Sequence, residues 1–110
     1  MYSLYTISSF QDIRPKSRRK LCWDVNSYET RAPVTLFECH GQGGNQAWRY
    51  DTDHQWIIHG GNPRCLDTDP ATAQLFVTQC DARSQTQKWT VENVNLKQLE
   101  KWDDPMKDMF

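Results

Sequence analysis

The sequence contains no apolar run approaching the ~18 residues that a membrane-spanning helix needs, so no span is expected. Its opening stretch, MYSLYTISSFQDIRPKSRRK, has neither the positively charged start nor the unbroken apolar segment of a signal peptide. Nothing in the chain as written would direct it into the secretory pathway. An excess of one charge is also missing. Thirteen Lys and Arg face fourteen Asp and Glu, for a net charge of -1, and the pI is about 6.3. A large nucleic-acid footprint usually needs a strongly basic surface, so none is expected. The one basic run, Lys16-Ser17-Arg18-Arg19-Lys20, reads as a solvated loop before a strand. Glycosylation acceptors are absent, because Asn26-Ser27-Tyr28 and Asn93-Val94-Asn95 both fail the N-x-[ST] pattern. Helical periodicity is scarce until residues 95–102. At 110 residues the chain suffices for one small domain with a modest core.

Cysteine is present, four times. Four cysteines allow three connectivities, and spacing alone does not choose among them. The spacings are 17 for Cys22 and Cys39 and 15 for Cys65 and Cys80. One pair falls in each copy of the repeat described below, which favours Cys22–Cys39 and Cys65–Cys80. Loops of that size would each contribute about 3 kcal/mol through chain entropy. Zinc held by cysteine with His40, His54 or His59 is the rival, but no C-x-x-C or H-x-x-x-H spacing supports it. No metal and no cofactor is expected. Disulfides imply an oxidising compartment. With no leader visible, the chain reads as a piece or a variant of a longer secretory protein.

The chain repeats itself. Cys22-Trp23-Asp24 matches Cys65-Leu66-Asp67. Val34-Thr35-Leu36-Phe37-Glu38-Cys39 matches Leu75-Phe76-Val77-Thr78-Gln79-Cys80, and Gln46-Ala47-Trp48 matches Gln87-Lys88-Trp89. The order is kept and the offset is 41 to 43 residues. Within each unit, short runs rich in Val, Ile, Phe, Trp and Thr alternate with Gly, Pro, Asn and Asp. Strands are expected near 21–25, 34–39, 47–51, 55–59, 64–68, 74–80 and 88–92. Residues 2–6 and 10–14 resemble 47–51 and 55–59, so the N-terminus looks like the last half of an earlier repeat. The expected organisation is a remnant of a first repeat (1–14), a middle repeat (15–59), a last repeat (60–94) and a tail (95–110), in which 95–102 could form a helical turn. The class is all-β, a sandwich or barrel.

The ordered Cys-Leu-Asp and Gln-x-Trp landmarks resemble the ricin B-type lectin β-trefoil. With Phe37-Glu38-Cys39-His40-Gly41 and Gly43-Gly44-Asn45-Gln46, the resemblance is to the C-terminal lectin domain of the polypeptide N-acetylgalactosaminyltransferases. It covers roughly residues 3 to 94. It implies three repeats of four strands, with Gln46, Trp48, Gln87 and Trp89 in the core. It also implies that this trefoil is incomplete, with most of the first repeat missing, and that an open edge and part of the core are exposed.

A sugar site needs a carboxylate to accept from neighbouring hydroxyls, an amide, and an aromatic face for the apolar side of the ring. The middle repeat has all three in Asp24, Asn45 and Phe37, and His40 adds a ring nitrogen. Side chains alternate along a strand, so Val34 and Leu36 should face the core and Phe37 should face out. The resemblance places at Phe37 an aromatic that contacts GalNAc, more usually Tyr. Glycines in the loop after His40 let the backbone adopt positive φ or pass close to a ligand. The last repeat keeps Asp67 but has Thr78, Asp81 and Thr86 at the other places, and its loop lacks glycine. One site is therefore expected, in the middle repeat.

The leading expectation is a non-catalytic module that binds GalNAc-bearing glycans or glycopeptides, attached to the catalytic domain of a longer transferase and residing in the Golgi lumen. No catalytic residue is assigned. Asp51-Thr52-Asp53-His54 lacks the surrounding βαβ units of a nucleotide-sugar fold, and no carboxylate pair is singled out for glycoside hydrolysis. The alternatives are a protein-interaction trefoil with an inert sugar site, or a truncated transferase isoform.

Overall fold

The computed structural model describes residues 5–7, 12–15, 17–60 and 62–90. The helical turn expected over 95–102, and the tail, lie outside the described residues. The elements follow the short apolar runs: β1 (Tyr5–Ile7), β2 (Ile13–Pro15), β3 (Leu21–Asp24), β4 (Ala32–Pro33), β5 (Thr35–Glu38), β6 (Trp48–Asp51), β7 (Trp56–His59), β8 (Arg64–Thr68) and β9 (Leu75–Thr78). A 3-10 turn spans Gly44–Gln46. The strand expected at 88–92 is not formed over 88–90, the part that is described. Trp89 is instead held by bonds to other segments, among them the Tyr50 hydroxyl, which donates to its carbonyl at 2.7 Å. Its backbone N–H reaches the Gln55 carbonyl at 2.8 Å, and its indole N–H reaches the Leu66 carbonyl at 3.0 Å.

All strand pairs are antiparallel, consistent with short connections between them. β1 pairs with β2, and β3 pairs with β5. The remaining five form a sheet in the order β4-β9-β8-β7-β6. Disulfides Cys22–Cys39 and Cys65–Cys80 cross-link the two repeats separately, with Cα atoms 5.1 and 5.0 Å apart. They use all four thiols and leave no thiolate for zinc.

Trp48 lies at the centre, fully buried among Ile13, Trp23, Val25, Leu66, Val77 and Trp89. Burial removes large apolar area, but the indole N–H still needs an acceptor. Trp48 finds it in the Trp23 carbonyl (3.2 Å), as Trp89 does in that of Leu66. Gln46 and Gln87 are also buried and make parallel bonds. Each side-chain oxygen accepts a backbone N–H, from His40 or from Asp81. Each side-chain amide donates to a carbonyl, of Glu38 or of Gln79, and to a carboxylate, of Asp24 or of Asp67. The repeated Gln-x-Trp motif is thus one hydrogen-bonding unit built twice.

One inward placement is corrected. Val34 packs against the core, but Leu36 is 43% exposed. Its counterpart Val77 is fully buried because β9 is flanked by β8 and by β4. Among the described residues β5 is paired with β3 alone, and all four of its residues are exposed.

Candidate functional site

The β3–β5 register places the candidate residues. Asp24 lies opposite Thr35, and Cys22 opposite Phe37. Alternation then puts Asp24 and Phe37 on one face, as diagonal neighbours at about 7–8 Å, within reach of one hexose ring. Trp23 and Leu36 lie on the other face. Phe37 is 64% exposed. Since β5 is open on both faces, that exposure alone does not single it out; its place beside Asp24 does.

The loop after Cys39 closes the other side. Gly41, Gly43 and Gly44 have φ of 67°, 73° and 59°. That region is costly for residues with a Cβ, which explains the glycine cluster. The chain thereby turns back, so that Gln46 reaches Asp24 at 2.9 Å and Asn45 lies beside the end of β3. The Asn45 carbonyl accepts from the Val25 N–H at 3.0 Å, and its side-chain amide donates to the Asn26 side chain at 3.4 Å. His40 accepts the Gln42 N–H on Nδ1 at 3.0 Å. In the neutral ring the proton is then on Nε2, which can donate outward. The fold therefore brings Asp24, Asn45 and Phe37 to one rim, with His40 on the adjoining loop. Asn26, His59 and Arg64, which make contacts around this rim, were not singled out for it by the sequence: Asn26 lies in no binding motif, and the contacts of the other two join distant segments.

The two repeats differ at the carboxylate. Asp24 gives Oδ2 to Gln46, and no described group donates to its Oδ1. Asp67 gives Oδ2 to Gln87, but its Oδ1 accepts the Thr68 N–H at 2.7 Å. The amide matching that of Thr68 is Val25, which is already bonded to the Asn45 carbonyl. Across from Asp67 stands Phe76 where the middle repeat has Thr35. Phe76 is buried, and the Arg31 guanidinium lies 3.6 Å above its ring. The last repeat has spent its carboxylate oxygen and filled the opposite position.

Residues 3–89 match the family of the ricin-type beta-trefoil lectin domain. The chain belongs to this lectin family. N-acetylgalactosaminyltransferase 6 of Drosophila melanogaster is 35% identical over 99 residues, which cover 89% of this chain and 15% of that protein. Polypeptide N-acetylgalactosaminyltransferase 10 of Homo sapiens is 34% identical over 103 residues, covering 91% of this chain and 17% of that one. The chain thus spans about a sixth of each of these relatives. An agglutinin from Abrus precatorius shares the fold, with a TM-score of 0.71 at 17% identity over 78% of this chain and 33% of its own. So does GalNAc-T7, crystallised with UDP, GalNAc and Mn2+, with a TM-score of 0.66 at 21% identity over 83% of this chain and 16% of its own. The lectin is a β-trefoil, and no helix among its described residues is long and apolar enough to cross a membrane.

Proposed function

We propose that this lectin segment is a non-catalytic carbohydrate-binding module that recognises terminal GalNAc, on glycans or on glycopeptides, through one site in the middle repeat. Asp24 accepts hydrogen bonds from neighbouring sugar hydroxyls, Asn45 donates and accepts, Phe37 stacks on the apolar ring face, and His40 donates from Nε2. The observation that carries this reading is the Asp24 Oδ1, which lacks a donor among the described residues where the matching oxygen of Asp67 has one. A buried carboxylate oxygen without a partner is costly, and a ligand hydroxyl would satisfy it. The transferase relatives support GalNAc as the sugar and the Golgi lumen as the setting, with a catalytic domain as the covalent neighbour. A shallow monosaccharide site of this kind should bind at about 1 mM. Useful avidity then comes from a neighbouring domain or a multivalent glycopeptide.

The test is the amide NMR spectrum of the oxidised chain with and without millimolar GalNAc, beside Asp24→Ala. Shifts at Asp24, Phe37, His40 and Asn45 that vanish in Asp24→Ala support the module. A dispersed spectrum indifferent to GalNAc supports the second reading, a protein-contact trefoil with an inert site. The exposure of Leu36 together with Phe37 favours that alternative.

A further inference from the structure

His59 and Arg64 are both buried, at 2% and 4% exposure, on strands of different repeats. They are Cα partners across the β7–β8 pair. His59 Nε2 lies 2.8 Å from the Asn45 carbonyl, and Nδ1 lies 3.3 Å from an Arg64 amino group. A carbonyl only accepts and a guanidinium only donates. These two contacts define the tautomer: Nε2 carries the proton and Nδ1 is bare. Arg64 donates three other hydrogens to the carbonyls of Asn62, Glu29 and Ser27. Asn62 in turn donates to the Tyr28 carbonyl at 3.4 Å. Arg64 makes no ion pair among the described residues.

We infer that His59 and Arg64 are positioning residues for the glycan site. They form a buried relay that fixes Asn45 on one side and the loop carrying Asn26 on the other. The inference rests on reading Asn45 as a glycan ligand. The core alone has no need of a guanidinium that gathers three loop carbonyls and one imidazole. What those bonds have in common is that they converge on the two walls joined by the Asn45–Asn26 contact. The Asn45 carbonyl thus accepts twice, from Val25 and from His59, which pins the Asn45 backbone at the end of β3 and so sets where its side chain starts.

The relay works only with a neutral imidazole. A proton on Nδ1 would face the Arg64 hydrogens. Among the described residues, the charged groups that act on His59 are Arg64 and Asp24. Burial, and then the Arg64 charge, hold the imidazole below its ordinary range, against the opposing pull of the Asn45 carbonyl, Asp24 and the Asn62 backbone. Acidification should therefore loosen Asn45 and weaken sugar binding.

The experiment uses the 15N-labelled oxidised chain, titrated with GalNAc near pH 7.5 and near pH 5.5, as wild type, His59→Gln, His59→Leu and Arg64→Lys. Gln keeps a donor near the place of Nε2, and Leu does not. Expected is a wild-type imidazole signature of protonated Nε2 and bare Nδ1. His59→Gln should bind within about twofold of wild type at the higher pH, and His59→Leu and Arg64→Lys at least about fivefold more weakly. Acid should weaken wild type more than His59→Gln. A protonated Nδ1 at the higher pH, or wild-type affinity in His59→Leu, would overturn the relay. If His59→Leu does not fold, the tautomer and the two pH profiles decide. If wild type ignores GalNAc, the glycan reading fails, and the relay is judged by the amides of Val25, Asn26 and Asn45. It stands if His59→Leu moves them and His59→Gln restores them, and it falls otherwise.

Discussion

Asp24 and Asp67 occupy matching places and differ by one hydrogen bond, and the consequences of that difference are local. Asp24→Ala should abolish GalNAc shifts and cost about 1–2 kcal/mol in urea unfolding, because the Gln46 amide then keeps only the Glu38 carbonyl as acceptor. Asp67→Ala should cost a similar amount and leave GalNAc binding intact. Gly43 makes a different point. With φ 73° and ψ −130° it sits where residues with a Cβ are strained. A Cβ there would meet only the Ala47 side chain at 3.8 Å, so the obstacle is the backbone and not space. Gly43→Ala should therefore destabilise by about 1–3 kcal/mol, read from its urea midpoint. That glycine cluster was legible in the sequence as a demand for positive φ. The lack of a described donor at Asp24 Oδ1 was not, because it depends on which carbonyl the Val25 amide finds.

Among the elements, β5 shows where period-2 reasoning succeeds and where it stops. Alternation places Phe37 outward and Leu36 inward, and the register does put them on opposite faces. Yet Leu36 is exposed as well, because burial needs a layer or a neighbouring strand, and pattern does not supply one. Phe37 is 64% exposed and outside the core cluster of the described residues, so Phe37→Ala should change stability by less than about 0.5 kcal/mol while eliminating the GalNAc shifts. A large loss of stability in a thermal melt would count against the stacking role. The strand expected at 88–92 failed over 88–90 for a related reason. The family resemblance placed Trp89 in the core correctly, but its backbone N–H bonds to a turn residue, Gln55, and not to a ladder.

At the scale of the molecule, two small repeats share one core, and each is stapled by its own disulfide. Breaking Cys22–Cys39 by paired Ala substitutions should cost about 3 kcal/mol and shift the β3–β5 amides most, since that bridge joins those strands' ends. His59 adds a pH dependence that crosses the repeats. The unfolded chain takes up a proton at the ordinary imidazole value of about 6.5, and the folded chain resists until lower pH. Stability should fall as pH drops through that value, and level off once the folded imidazole also protonates. Urea unfolding near pH 7.5 and near pH 5.5 should show this loss in wild type and a smaller one in His59→Gln.

The sequence by itself determined the repeat and the all-β class, and the repeat favoured the cysteine pairing that forms, because recurrence lets one copy interpret the other; the core role of Gln46, Trp48, Gln87 and Trp89 came from the family resemblance. Tertiary structure alone decided which Asp has an oxygen with no donor among the described residues, that Leu36 is exposed, and that His59 and Arg64 reach back to Asn45 and the 26–29 loop. Those outcomes depend on contacts between residues 14 to 37 positions apart in sequence. Such contacts form only after the strands have set the distances, so no window of the sequence contains them.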